Sequence, residues 1–256
     1  MNFDIYLVSL EKDSARRNLL KERFTNTYSK FKYHPAVDGR LLLSKDYYDF
    51  ISKYYKKEKK IMTPGELGCT LSHITVLTKF LESDSNYALI FEDDIVGGDE
   101  DIKKINEIIP YLDECSIIVC GGQNGLLSRY FQWGKPLKNH SKLYLVHPHS
   151  YQYIYRTCSY FVTRKVASLI LDYQNKHTVV ADHWAKIFKN INIKFYYINI
   201  FQHPAELSDS SIEAERFVST NMSLFKKLKS IRKIFKTSYT IFILIILFMC
   251  GYRRIK

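Results

Sequence analysis

The sequence predicts an α/β fold built around one domain, and three observations carry that reading. Residues 3–10 are a short run of strand formers, followed at once by a helical stretch. Two further apolar runs, 87–91 and 116–120, stop abruptly, the first at Glu92-Asp93-Asp94 and the second at Gly121-Gly122. Helical patterns lie between them. Strands that alternate with helices in this way place functional groups at the strands' C-terminal ends.

The elements follow in order. After the first strand, Leu20 and Phe24 lie one helical turn apart within 11–24. Residues 44–60 are rich in Tyr and Lys, close on Lys-Lys-Glu-Lys-Lys, and are expected to form a mobile surface insertion. From Pro64 a helix is predicted, with Leu67, Leu71, Ile74, Thr78 and Leu81 on one stripe and Glu66 in the first turn, where a carboxylate complements the dipole. His73 falls at the edge of that stripe and reads as a packing histidine. Later strands are expected at 142–147 and 194–201, with a helix at 165–173 between them. No internal repeat or linker interrupts the chain before residue 223.

Charge is unevenly spread. The chain has 256 residues and a net charge of +12, from 38 Lys and Arg against 26 Asp and Glu. Nine of the basic residues and none of the acidic ones lie in 224–256, leaving 29 against 26, a net of +3, on the rest. A nucleic-acid reader needs a basic globular face, so that class is disfavoured. Five cysteines without CxxC spacing suit a reducing compartment, and residues 1–10 lack a signal-like pattern, so a cytoplasmic location is expected.

Three acids closing a buried strand are costly unless a cation or hydrogen bonds compensate them. Hard cations take carboxylate oxygens and share their shell with a substrate diphosphate. A solvated loop or helix cap at Asp93 or Asp94 is the other reading of the same residues. Residues 65–73 (GELGCTLSH) and 88–94 (ALIFEDD), with 5–17, 36–40, 159–167 and 181–185 in order, resemble glycosyltransferase family 25, which includes lipopolysaccharide and lipooligosaccharide galactosyltransferases. A weaker match is Gln202 followed by Ser211-Ile212. Ser9 and Thr157-Cys158 depart from the usual pattern.

The resemblance implies a GT-A fold, a single Rossmann-like α/β domain over 1–223 with a mixed central sheet. It also implies an inverting hexose transfer from a UDP-sugar, galactose foremost, to a lipid-linked glycan, with Mn²⁺ or Mg²⁺ as cofactor. Asp94, Asp93 and His203 are then expected as metal ligands. Arg16, Arg17, Glu92, Asp93, Trp184 and Gln202 are the expected donor contacts, Trp184 by stacking, for which Trp133 is a second candidate. Asp182, which could instead cap a helix near His183, and Glu66 are the candidate bases. A sugar nucleotidyltransferase would need a Gly-rich loop near the start, where only Gly39 occurs before residue 41.

The tail, 224–256, carries Leu224, Leu228, Ile231 and Phe235 on one helical face, with Lys226, Lys229, Lys233 and Lys236 opposite. The apolar run that follows, taken as 239–252, is roughly 21 Å as a helix against a hydrocarbon core of about 30 Å. A shallow or re-entrant anchor on the anionic cytoplasmic face of the inner membrane is therefore expected.

Overall fold

The computed structural model describes residues 3–204 and 228–255. Its strands are β1 (Asp4–Ser9), β2 (Phe31–Pro35), β3 (Tyr87–Glu92), β4 (Ser116–Gly121), β5 (Trp133–Leu137), β6 (His140–Val146), β7 (Ser159–Thr163), β8 (Lys194–Phe201) and β9 (Arg253–Arg254). Its helices are α1 (Ser14–Arg23), α2 (Ser44–Glu58), α3 (Pro64–Leu81), α4 (Asp99–Ile108), α5 (Arg164–His177), α6 (Trp184–Ile187) and α7 (Leu228–Met249).

The nine strands among the described residues join one mixed sheet in the order β2-β1-β3-β7-β4-β8-β6-β5-β9. β1 runs parallel to β2 and β3, and β4 runs parallel to β8. β7 lies antiparallel between β3 and β4. The predicted α/β class with a mixed central sheet is thus what the chain forms.

Strand side chains alternate between two faces, so each central strand feeds two cores. Tyr6, Val8, Ala88, Ile90, Ile117 and Val119 face α3 and α5 on one side. Ile5, Leu7, Leu89, Phe91, Ile118 and Cys120 face α1 and α4 on the other. Burial on both sides explains why β3 and β4 read as unbroken apolar runs.

Two expectations change. Most of the stretch expected as a mobile surface insertion, 44–60, forms α2, whose Ile51 and Tyr54 are buried three residues apart, while the Tyr47 hydroxyl donates to the Met62 carbonyl at 2.7 Å. The basic tail, meanwhile, returns to the body. Gly251 turns the chain at φ +82°, β9 pairs antiparallel with β5, and the Ile255 N–H donates to the Gln132 carbonyl at 2.9 Å. Thr240, Leu247 and Ile255 are buried. The apolar run thus packs one face on the domain, and no described helix is long and apolar enough to cross a membrane. The expected boundary at 223, Leu224 and Ser211-Ile212 lie outside the described residues.

Candidate active site

β1 and β3 run parallel and end side by side, and the loop after β2 closes over them. Together with one face of α3 they enclose a cleft of about 440 Å³, within the usual range for small-molecule sites. Its wall depends on two glycines. A Cβ on Gly68 would lie 2.6 Å from the Gly39 nitrogen and the Val37 carbonyl oxygen, and one on Gly39 would lie 1.8 Å from the Pro64 oxygen. The Val37 N–H also donates to Ser72 Oγ at 2.8 Å. The loop is therefore pressed against α3 with no room for a side chain between them.

The acidic turn occupies the cleft's floor, and its three carboxylates have three different environments. Glu92 closes β3 and accepts from Thr157 Oγ1 at 2.6 Å and from His73 Nε2 at 3.2 Å. Burial alone would raise its pKa, but His73 and Thr157 hold it below the ordinary carboxylate value. Asp93 faces Arg16, 3.2 Å from its Nη1. There burial wins, with Asp94 adding to it, and the Asp93 pKa rises to about 6 despite Ser9 and Arg16.

Asp94 meets His203, with Oδ2 3.1 Å from Nε2. Burial would lower the His203 pKa, but the carboxylate outweighs it and holds it above the ordinary value. Asp94 Oδ1 is buried without any hydrogen-bond partner. A divalent cation fits this arrangement: the carboxylate that carries the orphaned oxygen meets, through its other oxygen, the Nε2 of an imidazole whose Nδ1 donates to the Pro204 carbonyl at 2.9 Å.

The meeting of Asp94 and His203 is arranged by backbone. Val96 and Gln202 exchange N–H···O bonds, both 2.8 Å. Gly121 adopts φ +139°, and a Cβ there would lie 1.8 Å from the Phe201 oxygen, so the end of β4 sits directly on the end of β8.

The other expected residues divide. Arg16 lines the cleft, and so do Lys12 and Arg40, which both pair with Asp38, at 2.8 and 3.4 Å. Arg17 instead braces the β1–α1 loop, donating to Ser9 Oγ, the Leu10 carbonyl and the Glu11 carbonyl. Trp184 cannot stack on a sugar: it is 2% exposed and packs on Phe188, Phe195 and Tyr160. Trp133 is half-buried in β5, away from the cleft lining.

Glu66 closes a capping box with Thr63, its Oε2 accepting the Thr63 N–H at 3.0 Å. Asp182 accepts the Arg156 N–H at 2.9 Å and does not cap α6. Neither carboxylate is among the residues that line the cleft. Gln202 bonds Asn124 and Asn199 through its side chain.

His73 was expected to pack, and it does so while also facing the cleft: its Nδ1 lies 3.1 Å from the buried Tyr160 hydroxyl. Cys69, one turn earlier on α3, and Thr157 were missed as neighbours of Glu92. The available signal was the i, i+4 spacing of Cys69 and His73, which puts both on one helix face.

Several known proteins are similar to part of this chain. A glycosyltransferase 25 family member of Anopheles gambiae is 34% identical over 96 residues, 36% of this chain and 16% of that protein. A candidate glycosyltransferase of Haemophilus influenzae is 31% identical over 113 residues, 44% of this chain and 39% of that protein. Human procollagen galactosyltransferase 2 is 24% identical over 123 residues, 46% of this chain and 20% of that protein. Each match spans well under half of the relative's own length. The sequence profile described as glycosyltransferase family 25 (LPS biosynthesis protein) covers residues 2–185, from β1 through the cleft to α6. With its acidic turn, its α3 face and its first three strands all inside that match, the chain belongs to glycosyltransferase family 25.

Proposed function

We propose that this glycosyltransferase moves a hexose, galactose before glucose, from a UDP-sugar to a lipid-linked glycan of the bacterial cell envelope, with inversion at the anomeric carbon and with Mn²⁺ or Mg²⁺ bound. The observation that carries this reading is the Asp94 carboxylate, with one oxygen buried and unpartnered and the other on His203. In this reading Asp94 and His203 hold the metal, while Asp93 is engaged with Arg16. Bound there, the metal's chemistry is Lewis-acid neutralisation of a departing diphosphate.

The chain's own cations would complete the diphosphate's surroundings. Arg16, Lys12 and Arg40 line the same cleft, and this set replaces the pair Arg16 and Arg17 drawn from sequence. Asp182 keeps the role of base that takes the acceptor's proton, because it is bonded to Arg156, next to the Thr157 that contacts Glu92. Glu66 leaves that role, since its carboxylate is committed to the start of α3. The basic tail would keep the enzyme at the cytoplasmic face of the inner membrane, where such an acceptor resides.

The test is a transfer and hydrolysis screen of the purified protein against a panel of UDP-sugars, with Mn²⁺, with Mg²⁺ and with a chelator. UDP-galactose turnover that needs the metal is the expected result. Absence of turnover across the panel, together with no UDP binding, would overturn the reading.

A further inference from the structure

The acidic turn has a second neighbourhood that the metal described above does not use. Cys69 and His73 project from one face of α3, four residues apart, toward Glu92 at the end of β3. One ligand atom from each of the three lies within 4.8 Å of the other two. All three line the cleft. We propose that Cys69, His73 and Glu92 form a second cation site, suited to a thiophilic divalent ion of the zinc class and left open to the cleft at its fourth position.

The donor set makes the choice of ion. A thiolate, an imidazole and a carboxylate with one open position is a zinc-type arrangement, whereas Mn²⁺ and Mg²⁺ favour oxygen ligands. Tetrahedral zinc needs ligand atoms roughly 3–4 Å apart, so a small contraction of the present cluster suffices. Helix spacing supplies half the site, since ligands at i and i+4 share a face, as in helical metal motifs.

The outer partners are already in place. The Tyr160 hydroxyl, buried 3.1 Å from His73 Nδ1, can accept a hydrogen bond from an Nδ1–H and so leave Nε2 as the metal-facing nitrogen. Thr157 Oγ1 donates to Glu92 Oε1 at 2.6 Å and fixes that carboxylate, and the same hydroxyl lies 3.8 Å from Cys69 Sγ. His73 Nε2 lies 3.2 Å from Glu92 Oε1. Binding replaces that contact with two bonds to the ion. The Cys69 thiol proton goes to solvent, the Nε2 proton that faced Glu92 leaves Nε2 to free its lone pair, and the neutral imidazole holds its one proton on Nδ1.

An ion here would cap the cleft's floor beside Asp93 and Asp94 and compete with the donor. That consequence rests on the donor occupying this cleft, whereas the site itself does not.

Cobalt(II) is the probe. Titrated into the full-length protein, it should give a thiolate-to-cobalt charge-transfer band and the strong visible bands of tetrahedral cobalt. The band should disappear in Cys69→Ser, affinity should fall at least ~10-fold in His73→Gln, and the band should persist in Asp94→Ala. No thiolate band in the wild-type protein, or an undiminished band in Cys69→Ser, overturns the proposal. A measurement on unaltered protein guards against a misfolded variant. Zn²⁺, but not Mg²⁺, should protect Cys69 from alkylation as read by peptide mass spectrometry, and an unchanged alkylation rate also overturns it. Protein that shows the cobalt band but neither turns over a UDP-sugar nor binds UDP refutes the proposed donor reading alone. Protein that transfers sugar without the band refutes the second site alone.

Discussion

Asp94 and His203 stand 3.1 Å apart although one follows β3 and the other follows β8. The first prediction rests on this pair. Asp94→Ala should lower sugar transfer by roughly 10²–10³-fold, the scale of losing a principal electrostatic stabiliser, while far-UV circular dichroism stays that of the wild type. His203→Ala should raise the Mn²⁺ concentration needed for half-maximal rate. Full activity in Asp94→Ala would remove the metal from this position.

Gly68 and Gly39 lie back to back where the loop after β2 meets α3. Gly68→Ala inserts a methyl 2.6 Å from two backbone atoms, and backbone cannot swing aside as a side chain can. Overpacking of this kind costs about 1–3 kcal/mol. Thermal unfolding should fall by several degrees, and KM for the donor should rise because the displaced loop carries Arg40 into the cleft. A variant with unchanged Tm and KM would show that the loop yields freely.

Much of the frame was legible locally, and the misses share a cause. The strands at 87–92, 116–121 and 194–201 appear within a residue of their ends because both faces are buried and the apolar run is continuous. Helix α2 hides its Ile51 and Tyr54 among exposed Tyr and Lys, and α4 hides Ile102, Ile105 and Ile108 among acids. At the site, the acidic turn and His203 could be proposed from sequence, but their meeting depends on the Val96–Gln202 bridge, which no local pattern encodes. Trp184 misled for the same reason: its neighbour Asp182 suggested a site, whereas Phe188, Phe195 and Tyr160 decide where the indole goes.

Asp99 makes a pH-dependent contribution to stability. It opens α4 and accepts from Thr25 Oγ1 at 3.1 Å, Thr27 Oγ1 at 2.6 Å and both nitrogens of Asn26 at 3.0 Å, tying the α1–β2 loop to that helix. Desolvation pushes its pKa up, but these donors prevail and bring it from 3.8 to about 2. The folded pKa is depressed, so the contribution is fully present above the unfolded value near 4 and is lost as pH falls toward about 2. Because the group is largely solvated, Asp99→Asn should cost only ~1 kcal/mol at pH 7. The gap between variant and wild-type urea midpoints should narrow below pH 4, and a gap that widens there would contradict the assignment.

The last prediction concerns the outer face of α7. Ile241, Phe242, Ile245, Phe248 and Met249 are all exposed and fall on one helical stripe, while Thr240 and Leu247 on the inner side are buried. Removing residues 224–256 would be a poor test of membrane binding, because β9 pairs with β5 and Ile255 is part of the core. Point substitutions separate the two roles. Phe242→Glu with Ile245→Glu leaves the inner face and β9 untouched but removes two apolar groups, each worth about 1.5–3 kcal/mol when fully buried. Binding to vesicles of anionic lipid should weaken at least ~10-fold, since even partial loss of that burial exceeds the 1.4 kcal/mol that a factor of ten requires. Transfer to a soluble acceptor should continue at the wild-type rate, because the cleft lies at β1, β2 and β3 while α7 and β9 join the opposite edge of the sheet. Unchanged vesicle binding would move membrane contact to another surface. A wild-type protein that dimerises, paired with a monomeric variant, would assign the stripe to a second copy of the chain instead.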